Sequence, residues 1–84
     1  MDIEVLKQAR KIVTGTKQTT KAVTNEEAQH VFVARDAAEH IVKPVLEACK
    51  ERNIPVTFVD TMEELGQACG IKVKAAMSAI IEMD

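Results

Sequence analysis

The chain has 84 residues, a mass of 9.2 kDa and a formal net charge of -2. Hydrophobic residues make up 46% and charged residues 29% of the sequence, which is the mix of a soluble globular protein and excludes an intrinsically disordered chain. Aromatic residues make up only 2%, which excludes proteins that stack bases on aromatic sheets. The length predicts one domain over residues 1–84.

The sequence predicts a cytoplasmic protein. The amino-terminal MDIEVLKQAR carries Asp2 and Glu4 and lacks the apolar core of a signal peptide. Stretches without a charge reach seven residues, whereas a membrane-spanning helix needs roughly 20. Cys49 and Cys69 are expected to be reduced thiols on helical core faces. Zinc bound by these cysteines with His30 and His40 is the alternative, but no C-x-x-C or H-x-x-x-H spacing favours it, and we expect no metal and no cofactor.

The first half of the chain predicts helices and strands in alternation. Apolar residues at helical spacing predict a helix over residues 3–11, and Ile12–Val13 predicts a brief strand that enters a turn. A second helix is predicted over residues 16–23. Residues 31–34 are a β-branched and aromatic run, typical of a strand buried on both faces. The residues of the second helix expected to face inward are Thr19, Ala22 and Val23.

The second half continues this alternation. Residues 41–52 predict an amphipathic helix with Pro44 near its first turn, and residues 56–59 repeat the buried-strand pattern. Asp60 or Thr61 caps the next helix, since each precedes a glutamate by three positions, and Gly70 ends it. Residues 75–81 fit either a helix or a strand. Together these elements predict a mixed sheet between helical layers, an α/β fold.

The predicted helix at residue 16 begins with the wrong charge. A helix amino terminus favours Asp or Glu, yet Lys17 lies in its first turn and Lys21 follows one turn later. Like charges at this spacing cost a few tenths of a kcal/mol. The pattern fits either an exposed helix start or a site for an anion such as phosphate or nucleic acid. A nucleotide-binding P-loop is not favoured, because only Gly15 precedes the lysine.

The distribution of charge along the chain and a second segment, residues 70–74, also bear on a possible site for an anion. Residues 1–24 carry a net charge of +3 and residues 25–84 a net charge of -5. In residues 70–74, Ile71 and Val73 alternate with Lys72 and Lys74. This alternation fits either an ordinary strand entrance or an apolar loop flanked by cations, which would pack on an unstacked base while the lysines reach phosphates.

Three segments carry a family resemblance over nearly the whole chain. IVTGTKQTTKAV, residues 12–23, is similar to a Gly-Thr-Asn-Glu-x-Thr-Lys-Ala-Val signature, and ELGQACGIKVKAA, residues 64–76, to a Leu-Gly-x-Ala-x-Gly-Ile-x-Val segment. VFVARDA, residues 31–37, is similar to a strand followed by an Ala-x-Asp turn. In this order the segments resemble the ribosomal protein L7Ae family of kink-turn RNA-binding proteins, and most closely its short bacterial YbxF-like branch.

The resemblance implies a three-layer α-β-α sandwich with a mixed four-stranded central sheet, in which residues 75–81 form a strand. It also implies a non-enzymatic, monomeric protein whose partner is structured RNA, a kink-turn or ribosomal RNA, with no membrane and no small-molecule substrate. Lysine and glutamine side chains of the second helix would read guanine edges. An apolar loop would cover a splayed nucleotide. The implied RNA-binding residues are Gly15, Thr16, Lys17, Gln18, Lys21, Arg35, Ile71, Lys72 and Val73.

The chain also departs from the family pattern. Lys17–Gln18 replaces the usual Asn-Glu pair, and Lys74 replaces a common proline. Archaeal members commonly carry a lysine at the start of the helix before the second motif, where this chain has Thr61–Met62 followed by Glu63–Glu64. These changes predict altered guanine contacts and affinity. A protein-interaction module that kept the fold is the alternative function, motivated by the acidic remainder of the chain. An enzyme is less favoured, since His30 and His40 have no Ser or Cys partner at a recognisable spacing.

Overall fold

Helices and strands alternate along the chain in the computed structural model, which describes residues 3–83. Within those residues, no helix has the length and apolar character needed to cross a membrane. The helices are α1 (Val5–Gln8), α2 (Thr16–Thr24), α3 (Glu39–Glu51) and α4 (Met62–Ala68). The strands are β1 (Lys11–Thr14), β2 (His30–Ala34), β3 (Val56–Val59) and β4 (Met77–Glu82).

The four strands form one mixed sheet in the order β1-β4-β2-β3. β2 pairs with β3 in parallel, whereas β4 is antiparallel to both of its neighbours, β1 and β2. Strands β1, β2 and β3 therefore run in one direction and end at the same edge of the sheet, where β4 begins. This edge carries the start of α2, the turns after β2 and β3, and the loop before β4.

Helices cover both faces of the sheet. On one face, α2 and α3 pack against Val31, Val33 and the other strand residues that point to that side of the sheet. On the other face, α1 and α4 pack against Phe32 and Ala34. Neighbouring residues of β2 thus enter opposite cores, as the period of two of a strand requires. The three-layer α-β-α sandwich with a mixed four-stranded sheet is confirmed.

The two predicted buried strands differ in the structure. β2 is central, and all five of its residues are buried, as predicted. β3 lies at the edge of the sheet, and Phe58 keeps 45% of its surface exposed, so the prediction that this strand repeats the buried pattern was wrong. The residue types in the two strands are similar, and they do not indicate which strand has a neighbour on both sides. Residues 77–82 form a strand, because β4 fills the place between β1 and β2.

Two predicted helices have different bounds in the structure. α1 is shorter than residues 3–11, because Lys11 already pairs with Glu82 in the sheet. α3 begins at Glu39, so Pro44 lies in its second turn and not near its first. Pro44 is exposed, and so is His40, whose carbonyl loses its helical donor. α2 and its inward residues agree with the prediction.

The ends of α4 follow the predicted signals. The Thr61 hydroxyl accepts a hydrogen bond from the Glu64 backbone N–H at 3.0 Å, so Thr61 is the cap and Asp60 is not. Gly70, with φ of +79°, closes the helix, and the N–H groups of Gly70 and Ile71 donate to the carbonyls of Gln67 and Gly66. This is the Schellman arrangement, which needs a left-handed residue at that position. The end of α4 thereby sends the chain back towards the start of α2.

The two cysteines are free thiols in the structure. Cys49 is buried in the core beneath α3, as predicted, and this burial raises the pKa of its thiol. Cys69, the residue that ends α4, is only half-buried, and it packs against the core that α1 and α4 form with the sheet. Among residues 3–83, no three His, Cys, Asp or Glu side chains converge as a metal site requires.

Candidate functional site

The start of α2 is built on a glycine that no other residue would replace without strain. Gly15 has φ of +98°, and its N–H donates to the Met77 carbonyl at 2.9 Å, which ties the turn to the first residue of β4. Because Gly15 is the cap residue and has no side chain, no side-chain cap covers the first-turn N–H groups. The first turn of α2 therefore presents backbone donors at the sheet edge.

The side chains predicted to read a ligand lie on the outer surface of α2. Lys17, Gln18 and Lys21 are all exposed. The ion pairs within residues 3–83 involve neither of these lysines. The helix ends at Thr24, so Lys21 lies in its last turn, where the helix dipole favours a cation. Of these two lysines, therefore, only Lys17 opposes the helix dipole.

The loop before β4 (residues 70–76, the apolar loop below) is held by α4. The Ile71 N–H donates to the Gly66 carbonyl at 3.1 Å, and the Ala75 N–H donates to the Met62 carbonyl at 3.1 Å. Gly66 is buried directly beneath the loop, where a Cβ atom would overlap the Val73 carbonyl oxygen. These contacts leave the Val73 side chain 69% exposed, an unusual position for valine.

The start of α2 and the apolar loop enclose a groove of about 530 Å³ (the α2–loop groove below). Its walls combine the polar backbone around Gly15 with the aliphatic side chains of the loop. The structure thus brings together two segments that are more than fifty positions apart in the sequence. The residues that line the groove are Thr14, Gly15, Thr16, Met62, Ile71, Val73, Lys74, Ala75 and Ala76.

A second hollow, of about 430 Å³, lies on the other side of the apolar loop. Glu63 and Gln67, one turn apart on α4, form one wall, and residues 71–74 form the other. Ile71, Val73 and Lys74 line both hollows. The apolar loop is therefore a ridge with cations on its flanks. Glu63 places a carboxylate beside this ridge.

Lys17, Gln18 and Lys21 lie on α2 outside both hollows. Arg35 is a fourth predicted site residue that lines neither hollow. It follows β2 at the same sheet edge, but its Nε atom lies 3.7 Å from Oδ1 of Asp60 and its guanidinium lies 5.2 Å from the centre of the Phe58 ring. These contacts direct the side chain towards the edge strand β3, away from α2. Lys72 lines only the second hollow.

Five residues of the groove were not among the predicted site residues: Thr14, Met62, Lys74, Ala75 and Ala76. Thr14 was assigned to the turn before α2. Met62 was assigned to the opening of α4, and only the sheet order places it beside Gly15. Lys74 lines both hollows but was not among the predicted site residues. Its alternation with Ile71 and Val73 is the sequence signal that identifies it.

Comparisons with known proteins agree with this architecture. The chain is 51% identical over 81 residues to RNA-binding protein YbxF of Geobacillus stearothermophilus, covering 96% of this chain and 99% of that protein. An RNA-binding protein of Geobacillus sp. strain WCH70 is 52% identical over 81 residues, with the same coverage of both chains.

Solved structures also superpose on this chain over most of its length. The Giardia lamblia 15.5kD RNA binding protein superposes with a TM-score of 0.86 at 28% identity, over 98% of this chain and 72% of that chain. A protein of unknown function from Bacillus halodurans C gives a TM-score of 0.81 at 30% identity, over 95% and 80% of the two chains.

A family model provides the assignment. The model of the ribosomal protein L7Ae/L30e/S12e/Gadd45 family matches residues 2–84. The strand order, the Gly15 turn and the apolar loop described above lie within that match. The chain belongs to the ribosomal protein L7Ae/L30e/S12e/Gadd45 family.

Proposed function

We propose that the protein binds RNA, and specifically kink-turn RNA, at the sheet edge that carries the start of α2 and the apolar loop. The observation that carries this proposal is the α2–loop groove, in which the uncapped turn at Gly15 and Thr16 lies opposite an exposed aliphatic ridge. Lys17 is the next residue along α2 and is exposed. Relatives that are 51% and 52% identical over 81 residues are named RNA-binding proteins, which supports the same conclusion and a non-enzymatic role.

The chemistry of the groove fits an RNA strand that leaves the helical stack. Backbone N–H groups and lysine ammonium groups donate to phosphate oxygens and to the acceptor atoms of guanine. Gln18 donates and accepts, so it suits a base edge that carries both kinds of group. The aliphatic surface of Ile71 and Val73 packs on the face of a base that no longer stacks within RNA. A kink-turn, a duplex bent sharply at a bulge, offers all of these groups together.

The experiment is energy transfer across an RNA duplex that contains a kink-turn and carries a dye at each end. We expect the protein to bring the ends together and raise the transfer, and to bind a straight duplex of the same length weakly. Replacing Lys17 and Lys21 with alanine should weaken binding at least about tenfold at physiological salt and lower the salt slope by about one to two units.

A matched control removes the same charge elsewhere. Lys43 and Lys50 are exposed on α3, outside both hollows, and their replacement by alanine should have a much smaller effect. If the two double variants bound alike, only general charge would matter, and the proposed site would be wrong. Equal, weak binding of the wild-type protein to bent and straight duplexes would instead favour the protein-interaction module.

The cellular setting is part of the proposal. We place the protein in the cytoplasm as a monomer on a structured RNA, with ribosomal RNA as the first candidate. The free thiols of Cys49 and Cys69 suit a reducing compartment. Sequencing of RNA crosslinked to the protein in cells tests this, and recovery of RNA without a kink-turn would contradict it.

A further inference from the structure

Asp36 makes a long-range contact that neither the proposed site nor the core explains. It follows β2 within residues 31–37, and its Oδ1 atom accepts a hydrogen bond from the Met62 backbone N–H at 2.8 Å. Met62 is the first residue of α4, and Thr61 caps the same turn through the Glu64 N–H. One of the two side chains that hold the first turn of α4 therefore comes from the end of a different strand.

Met62 connects this contact to the α2–loop groove. Its N–H donates to Asp36, its carbonyl accepts from the Ala75 N–H at 3.1 Å, and the residue lines the groove. Ala76, which follows Ala75 in the apolar loop, accepts a hydrogen bond from the Ala34 N–H at 2.9 Å. This bond joins the end of the loop to β2. The turn after β2 thus reaches the apolar loop through a single residue of α4.

The size of α4 makes this contact important. The helix has seven residues, about two turns, so its position depends on how its ends are held. Its second half supports the apolar loop through Gly66, which lies beneath the Val73 carbonyl. A shift of α4 at Met62 therefore moves the wall of the groove that faces Gly15.

We infer that Asp36 is a positioning residue, which sets the place of α4 and, through Met62, the place of the apolar loop opposite the start of α2. The inference rests on the proposed function, because the surface that Asp36 positions is the proposed RNA site. Asp36 lines neither hollow, and in this role it acts through Met62 and not by its own contact with the RNA.

The negative charge of Asp36 allows its positioning role to be distinguished from the effect of an ordinary surface carboxylate. Asp36 is exposed at an edge that we propose to face phosphates, so as a negative charge alone it opposes binding. Its removal would then tighten binding. As a positioning residue it has the opposite effect, because the loss of its acceptor oxygen releases Met62. Asparagine separates the two effects, since it keeps an acceptor oxygen and removes the charge.

The test compares D36A, D36N and the control D60A for affinity to the kink-turn duplex. Asp60 is a carboxylate at the same edge whose contact is the ion pair with Arg35. We expect D36A to weaken binding about five- to tenfold, D36N to bind within about twofold of wild type or more tightly, and D60A not to weaken it. If D36A bound as tightly as wild type or more tightly, or D36N lost as much as D36A, the inference would be overturned.

A second measurement does not depend on RNA. Hydrogen exchange at the Ala75 amide, followed by NMR in the free protein, should become faster in D36A and stay near the wild-type rate in D36N. Unchanged protection in D36A would overturn the inference. If the wild-type protein failed to prefer the kink-turn, the proposed function would fall, while faster Ala75 exchange in D36A would still support positioning of the loop by Asp36.

Discussion

Replacement of Gly66 by alanine tests whether α4 supports the apolar loop as described. In an open helix this change stabilises a protein by roughly 0.5–1 kcal/mol, because alanine loses less backbone entropy than glycine. Gly66 is buried, however, and a Cβ atom there would overlap the carbonyl oxygen of Val73. That oxygen belongs to the backbone, so a side-chain rotation does not relieve the overlap.

The magnitude follows from the two opposing effects. Overpacking of this kind costs about 1–3 kcal/mol, which exceeds the gain in helix propensity, so we expect a net loss of roughly 1–2 kcal/mol. The Val73 carbonyl must move outward, which should also weaken binding of the kink-turn RNA. Shortening the Val73 side chain does not rescue the variant, because the overlap involves the main chain.

Urea unfolding of G66A measures the change in the free energy of unfolding. Gln67→Ala is the matched control, since Gln67 is the exposed neighbour of Gly66 on the same helix and its replacement should change stability by less than about 0.5 kcal/mol. If G66A were more stable than wild type by the amount expected for an open helix, the proposed packing of the loop on α4 would be refuted.

Three further predictions concern other parts of the molecule. Glu26, two residues after the end of α2, has φ of +59°, so Glu26→Gly should raise the free energy of unfolding by about 0.5–1 kcal/mol in urea titrations. Asn53→Gly, at φ of +57° after α3, should give a smaller gain, because asparagine tolerates this conformation. Glu63→Gln should strengthen RNA binding about two- to threefold, more so at low salt, because it removes a carboxylate beside the apolar loop; tighter binding that did not depend on salt would contradict this explanation. Burial lowers the pKa of His30, whose Nε2 atom lies 2.7 Å from Thr57 Oγ1, so the unfolded chain takes up a proton at a higher pH than the native protein does. Stability should therefore fall as the pH drops below about 6.5 and towards the native pKa, and urea midpoints of the wild type and His30→Gln should show that this loss requires His30.

Local signals were sufficient where a residue acts on its own neighbours in the chain. Spacing and backbone preference predict the inward-facing residues of α2, the Thr61 cap and the turn at Gly70. The structure contains all three. The burial of β2 also agreed with its sequence. Each of these features depends on a few consecutive residues, so the sequence alone specifies it.

Features that depend on strand order could not be predicted in the same way. The pattern of β3 resembles that of β2, and only the sheet order makes Phe58 an edge residue. The direction of Arg35 and the bond from Asp36 to Met62 depend on which strand ends meet at one edge. The approach of residues 12–23 to residues 64–76 was implied by the family resemblance and not by periodicity. Which of these residues contact RNA stays a prediction.

The place of β4 in the sheet has a consequence for how the site is assembled. β4 is the last strand in chain order, yet it lies between β1 and β2, and its first residue accepts the N–H of Gly15. Until residues 77–82 join the sheet, β1 has no partner and the turn before α2 has no anchor. The pairing of β1 with β4 also spans most of the chain, which slows folding. A nascent or truncated chain without β4 therefore has no α2–loop groove, and binding at this edge begins only once the sheet is complete.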